Sequence, residues 1–256
     1  MNEPEFWRLL PFHRGDSAGH IQSSDALVRV LPMPTLWWHA AQRNTLILGA
    51  GQRDTAPGAS PVRRSSGGTA VWATPEVLGL DVALPHGHRL APADIVEGYR
   101  WLGETWVEAL MLLDIQGRTV SIAEAREAHQ ATNLTAEVRG ACFGGLSPYE
   151  VVADGRKIVG FAQVRRQRGV LLQAGLHLRF DAEGLAAQLG GENPARLSAA
   201  LRQRATGVEE VSGSAPSPET VQAAFRHALR NIQQIELREG AWSEEELHLM
   251  ERHASV

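Results

Sequence analysis

The chain is almost without cysteine and lysine. Its 256 residues hold one of each, Cys142 and Lys157, so that 24 of the 25 basic residues are arginine. A single cysteine excludes any intrachain disulfide. Long apolar runs are missing as well: no stretch approaches the roughly 18 to 20 uninterrupted apolar residues that a membrane helix needs. The start, Met1 to Arg14, carries Glu5 and Arg8 where a signal peptide would be apolar. A cytoplasmic location without membrane attachment is the expectation. An excess of positive charge is also lacking. The formal net charge of -4 gives no electrostatic footprint for nucleic acid, although the local cluster Arg165, Arg166 and Arg168 suits an acidic partner.

Codon bias towards Arg, Ala and Gly accounts for the shortage of lysine, but the exception needs a chemical reason. A guanidinium is planar and stays charged, whereas an ammonium is a compact charge with a tunable pKa. A lone lysine in an arginine background is therefore a site candidate. What is plentiful is core material: at 43% hydrophobic content the chain can bury one sizeable core.

From Trp7 to Leu84 the pattern is of short strands between turns, at Phe6 to Leu10, Thr35 to His39, Thr45 to Gly49, Thr69 to Ala73 and Val77 to Leu84. A helix over Ser17 to Leu31, closed by Pro32, interrupts them. Ile95, Tyr99, Leu102, Trp106, Ala109, Leu110 and Leu113 form an apolar stripe that predicts a packing helix over Pro92 to Leu113. A further helix is expected around Ile122 to His129. Asp154-Gly155 signals a hairpin between Tyr149 to Ala153 and Lys157 to Val164, and a third strand follows over Val170 to Phe180. Beyond Asp181 the composition turns helical and polar. Ser217 caps a helix running to about Ile235, and Ser243 with Glu246 forms a capping box for the last one.

Two segments carry chemistry. In Arg63-Arg64-Ser65-Ser66-Gly67-Gly68-Thr69-Ala70-Val71 the paired glycines let the backbone approach a ligand closely and offer main-chain N–H groups to its oxygens. In Cys142 through Gly160, a thiol of ordinary pKa near 8.5 is only a few per cent thiolate at neutral pH. A cysteine nucleophile therefore needs a nearby cation or base, and Lys157, brought back by the hairpin, can supply one. His86-Gly-His88 offers two metal ligands without a third and reads as solvent-facing, so no metal is expected. No nucleophile-elbow serine pattern is present.

Together, Arg63 to Val71 and Asp154-Gly-Arg-Lys-Ile-Val-Gly-Phe-Ala-Gln-Val-Arg165 resemble the paired signatures of the lipoate-protein ligase and octanoyltransferase family, within the biotin/lipoate ligase superfamily. The flanking Ser24-Asp25, Pro34-Thr35-Leu36 and Gly169-Val-Leu-Leu-Gln-Ala-Gly175 agree, so that the likeness spans about Trp7 to Phe180. It implies an α+β fold: a mixed, largely antiparallel sheet flanked by helices, with a catalytic domain over 1–185 and a short helical extension over 186–256. It also implies a tunnel for an eight-carbon acyl chain between the Gly-Gly segment and the lysine loop. Cys142 and Lys157 would be catalytic, with the lysine beside the thiol and favouring its ionised form. Arg64, Ser66, Gly67, Gly68, Thr69, Gly155, Gly160 and Ala162 would bind substrate. Cys142 stands upstream of the lysine, as the nucleophile does in the cysteine-dependent octanoyltransferases.

The activity so implied moves an octanoyl group from acyl carrier protein to a lysine of a lipoyl domain or of the glycine-cleavage carrier protein, with no cofactor. ATP and magnesium enter only if the chain is instead an ATP-dependent ligase; amidotransfer of lipoyl or octanoyl groups between carrier proteins is the other alternative. Many ligases carry a His soon after the Gly-Gly strand, where this chain has Trp72, Ala73 and Thr74. The segment after Asp181 also looks too small for their accessory domain. Within the octanoyltransferase pattern, Gly79 and Asp81 stand where Asn and Ser are commoner, which singles out the acyl pocket.

Overall fold

A computed structural model describes residues 4–52, 61–130, 135–190 and 192–254. In chain order they form β1 (Glu5–Gly15), α1 (Ser17–Val30), β2 (Thr35–Ala41), β3 (Thr45–Leu48), β4 (Val62–Arg63), β5 (Val71–Ala73), β6 (Val77–Pro85), α2 (Arg100–Met111), β7 (Gly117–Thr119), α3 (Ile122–Gln130) and α4 (Ala136–Gly140). Then follow β8 (Val151–Ala153), β9 (Arg156–Arg165), β10 (Gly169–His177), α5 (Ala182–Leu189), α6 (Pro194–Arg202), α7 (Val208–Ser212), α8 (Pro218–Gln233), β11 (Ile235–Glu239) and α9 (Glu244–Ala254).

Eight strands make one mixed sheet in the order β11-β1-β2-β6-β10-β9-β8-β7, parallel only at the β1 pairs. β4, β3 and β5 make a small second sheet. The main core lies where α2 and α8 cover one face of the large sheet, with Trp38, Trp106 and Phe225 packed edge to face or tilted at its centre. This is the mixed α+β architecture that the family resemblance implies. Among the described residues no helix is long and apolar enough to cross a membrane.

Local chemistry explains the element ends. α1 stops because Leu31 turns left-handed at φ 43° ahead of Pro32. The β8–β9 hairpin turns on Asp154 and Gly155, both at positive φ, 49° and 71°, as a two-residue turn matched to strand twist requires. α2 begins later than its apolar stripe suggests. Asp94 Oδ1 accepts from the N–H groups of Val96 and Glu97, an Asx turn that holds residues 92–96 out of the helix. A short 3-10 turn, Glu97–Tyr99, then leads in.

The C-terminal region differs in one respect from its helical composition. α8 ends at Gln233 with Gln234 left-handed, and the next five residues form β11, which pairs in parallel with β1. Only Ile235 and Leu237 of that strand are buried, too short an alternation to be read from sequence against a preceding helix. α9 opens on the expected capping box: Ser243 Oγ accepts from Glu246 N, and Glu246 accepts from Ser243 N. Glu246 is fully buried and also pairs with Arg8 of β1, at 2.9 Å from Oε2 to Nη1.

Candidate active site

Cys142 lies in a 3-10 turn, Cys142–Gly144, directly after α4. The turn is held to the Gly-Gly segment by main-chain bonds: Ala70 N donates to Gly140 O at 2.9 Å, and Cys142 N donates to Ala70 O at 2.8 Å. The Gly-Gly segment and the cysteine turn thus meet through one short bridge, Ala70 to Ala141. Gly144 is required there, since a Cβ would lie 1.9 Å from the carbonyl oxygen of Val138.

Lys157 is 2% exposed, and its ammonium is fully engaged. It donates to the main-chain carbonyls of Cys142 at 2.8 Å and Gly145 at 3.3 Å, and pairs with Glu150 Oε1 at 2.6 Å. The structure sets the lysine against the cysteine turn through that turn's carbonyls. The ammonium holds the backbone of the cysteine turn, because three oxygen acceptors saturate its three donors. The Phe143 ring lies 5.1 Å from the same nitrogen.

Glu150 is the residue that sequence reasoning missed. Only 1% exposed, it accepts from Ser147 N at 2.7 Å and Phe161 N at 3.1 Å besides pairing with Lys157. The available signal was an acidic residue directly preceding the apolar strand Val151–Ala153. The backbone of Lys157 is fixed from the C-terminal side as well: Lys157 N donates to Arg204 O and Thr206 N donates to Lys157 O.

Arg64 lines the same cavity as Cys142. Burial holds its guanidinium below the usual range, opposed by Cys142 and Tyr99. The guanidinium also donates to the carbonyls of Gly67 and Thr69, so Arg64 and Thr69 shape the Gly-Gly loop from within. Ser66 Oγ donates to Gln173 Oε1 at 2.6 Å. Tyr99, stacked on Phe161 at 5.7 Å between ring centroids, has its hydroxyl pushed up to about 12 by burial.

A cavity of ≈ 130 Å³ runs between the large sheet, the small sheet and α1. Cys142, Arg64, Gly160 and Ala162 line it; Gly67, Gly68 and Ala162 line an adjoining depression. Its floor is a cross-strand row of three glycines, Gly160 on β9, Gly175 on β10 and Gly79 on β6, in register. Gly155 does not belong to the group. It occupies the exposed hairpin turn, where positive φ is its contribution, and lines neither the cavity nor the depression. His86 and His88 are likewise engaged, with Arg166 O and with Glu5 Oε1, and among the described residues no cluster of three or more metal-ligating side chains occurs.

Known structures share this architecture. Superposition on a lipoate-protein ligase A bound with ATP gives a TM-score of 0.74 at 20% identity, covering 98% of this chain and 94% of that one. The bi-partite lipoate protein ligase of Thermoplasma acidophilum gives 0.74 at 20%, covering 98% and 92%. At that identity the likeness is one of fold. The family model of the lipoyl protein ligase A/B catalytic domain matches residues 32–230; the chain belongs to this family and is an acyltransferase enzyme. Among its relatives, the octanoyltransferase LipM of Kyrpidia tusciae is 31% identical over 96% of this chain and 94% of its own length. That of Moorella thermoacetica is 29% identical over 94% and 92%.

Proposed function

We propose that the protein is an octanoyl-acyl carrier protein:protein N-octanoyltransferase that works through a thioester on Cys142. The observation that carries this reading is the position of the chain's one thiol on the wall of the cavity, beside Arg64 and on a turn whose carbonyls Lys157 holds. The Cys142 thiolate attacks the carbonyl carbon of the donor thioester. The tetrahedral intermediate collapses with loss of pantetheine thiolate, which takes up a proton, and the octanoyl group remains on sulfur. The ε-amine of an acceptor lysine then attacks the same carbonyl, an amide forms, and the Cys142 thiolate leaves as the nitrogen sheds its proton. Arg64 stabilises the thiolate in both halves. Main-chain N–H groups near Gly67 and Gly68 receive the oxyanion.

The acceptor is a lysine of a lipoyl domain or of the glycine-cleavage carrier protein, and the reaction uses neither ATP nor metal. Two features favour transfer over ATP-dependent ligation: the cysteine faces the cavity, and the segment after Asp181 adds α8 and β11 to the catalytic sheet's own core. The exposed or half-exposed Arg63, Arg165, Arg166 and Arg168 suit acidic carriers, whereas Arg64, 9% exposed, belongs to the interior. Their role in docking predicts a rate that loses salt dependence when they are neutralised.

Intact-mass spectra provide the test. Mixed with octanoyl-acyl carrier protein alone, the protein is expected to gain one octanoyl group, labile to hydroxylamine and absent from Cys142→Ala. No adduct from the carrier, with transfer to a lipoyl domain that requires ATP, would establish the ligase reading instead.

A further inference from the structure

The two ends of the cavity differ in chemistry. The glycine floor leads from Gly160 across two strand spacings, about 9.5 Å, and then meets an imidazole: Gly79 is paired with His39 of β2, and His39 with His13 of β1. A Cβ at position 79 would lie 2.3 Å from Cε1 of His39, so the ring occupies the space that any larger residue there would take. Asp81, two residues along β6 and 1% exposed, lies on the same face. Its carboxylate accepts from Ser24 Oγ and from Gln173 Nε2 at 3.0 Å, and its Oδ1 stands 3.6 Å from His39 Nε2. Gly79 and Asp81, the two positions at which this chain leaves the resembled pattern, are thus the seat and the charged neighbour of one imidazole.

α1 closes this end with Ser17, His20 and Ser24, which share a helix face. The His20 ring lies 4.8 Å from that of His39, and its Nε2 meets His13 Nδ1 at 3.1 Å. Two buried polar atoms here have no hydrogen-bond partner among the described residues, His39 Nε2 and Ser17 Oγ, and Ser17 is only 2% exposed. Orphaned polar atoms in a protein interior are costly and uncommon, and a hydrocarbon terminus would leave both unmet. An anion is disfavoured by Asp81, and burial, with His39 and His13 nearby, holds His20 neutral by lowering its pKa to about 3. The occupant that suits the site is uncharged and both donates and accepts.

We propose that this far end is a specificity subsite, formed by Ser17, His20, Ser24, His39 and Asp81, for an acyl chain bearing an uncharged oxygen function such as a hydroxyl at its ω end. The proposal rests on the acyltransferase reading with its Cys142 thioester, and within it names an octanoyl chain hydroxylated at the ω end as preferred over plain octanoyl, which the transferase still accepts. Calorimetric titration of the protein with 8-hydroxyoctanoate and with octanoate reads the subsite without requiring transfer. The hydroxy acid is expected to bind at least about tenfold tighter, and His39→Leu is expected to bring the two within about threefold. Ser17→Ala, a smaller change that leaves the imidazole in place, is expected to reduce the preference in part. Equal affinities for the two acids, or a preference unchanged in both variants, would overturn the subsite. The Cys142 adduct from octanoyl-acyl carrier protein is scored separately. A protein that forms the adduct without preferring the hydroxy acid loses the subsite and keeps the transferase; one that prefers the hydroxy acid but never acylates Cys142 keeps the subsite and loses the transferase.

Discussion

Lys157 and Glu150 form a buried ion pair whose purpose is positional: the lysine's remaining donors fasten the turn that carries Cys142. Removing one member of such a pair leaves an uncompensated interior charge, at a cost of roughly 3–5 kcal/mol, whereas removing both is far milder. Glu150→Gln and Lys157→Met are each expected to lower the urea midpoint strongly. The double variant should lose much less than the sum, a coupling that a double-mutant cycle measures directly. Additive losses would mean that the two charges do not depend on each other. Gly144→Ala tests the turn itself, because the new methyl would collide with the Val138 carbonyl. It is expected to slow Cys142 acylation at least about tenfold, since a displacement of about 1 Å can cost 10²-fold, while changing the midpoint modestly. Lys157 stood out in sequence as the single lysine. Its partner did not, because one glutamate among many has no distinguishing mark until burial reveals it.

At the scale of elements, the hairpin and the caps were legible because their signals are local. Asp154-Gly155, Ser217-Pro218 and the Ser243/Glu246 box act within four residues of themselves, and each is found where the sequence predicts. β11 was not legible, since a strand with two buried residues acquires its identity from the edge of β1 that it pairs with. α9 combines both cases. Its capping glutamate is also the partner of Arg8, so Glu246→Ala removes a cap and strands a buried guanidinium. Roughly 3–5 kcal/mol of stability is expected to be lost, with hydrogen exchange accelerating first in α9 and at the β1–β11 edge. Unchanged exchange there would remove the ion pair from the list of contacts that hold the C-terminal helix.

For the molecule as a whole, two interior histidines are expected to weaken the fold in acid. Burial is the first cause that holds both His20 and His177 down to about 3 in the folded state, against an unfolded value near 6.5. Between those values the unfolded chain binds more protons, so stability is complete above about pH 6.5 and falls as the pH is lowered through the window. Two such groups give a slope of about 2.7 kcal/mol per pH unit. His177→Phe is expected to halve that slope in denaturant titrations between pH 4 and 6, and an unchanged slope would assign the acid limit to other groups. Sequence by itself determined the fold class, most strand and helix positions, the two signature segments and the pairing of a lone cysteine with a lone lysine. The element positions follow from periodicity, turn chemistry and composition, which act over short stretches of chain, and the fold class and the site pairing from the resemblance that the two signatures carry. Tertiary structure decided that the ammonium holds the carbonyls of the cysteine turn, that Arg64 and Cys142 line one cavity, and that Gly79 makes room for His39. Those relations join residues distant in sequence: the register of β2 and β6 sets Gly79 against His39, and the bridge from Ala70 to Ala141 sets the cysteine turn on the Gly-Gly loop.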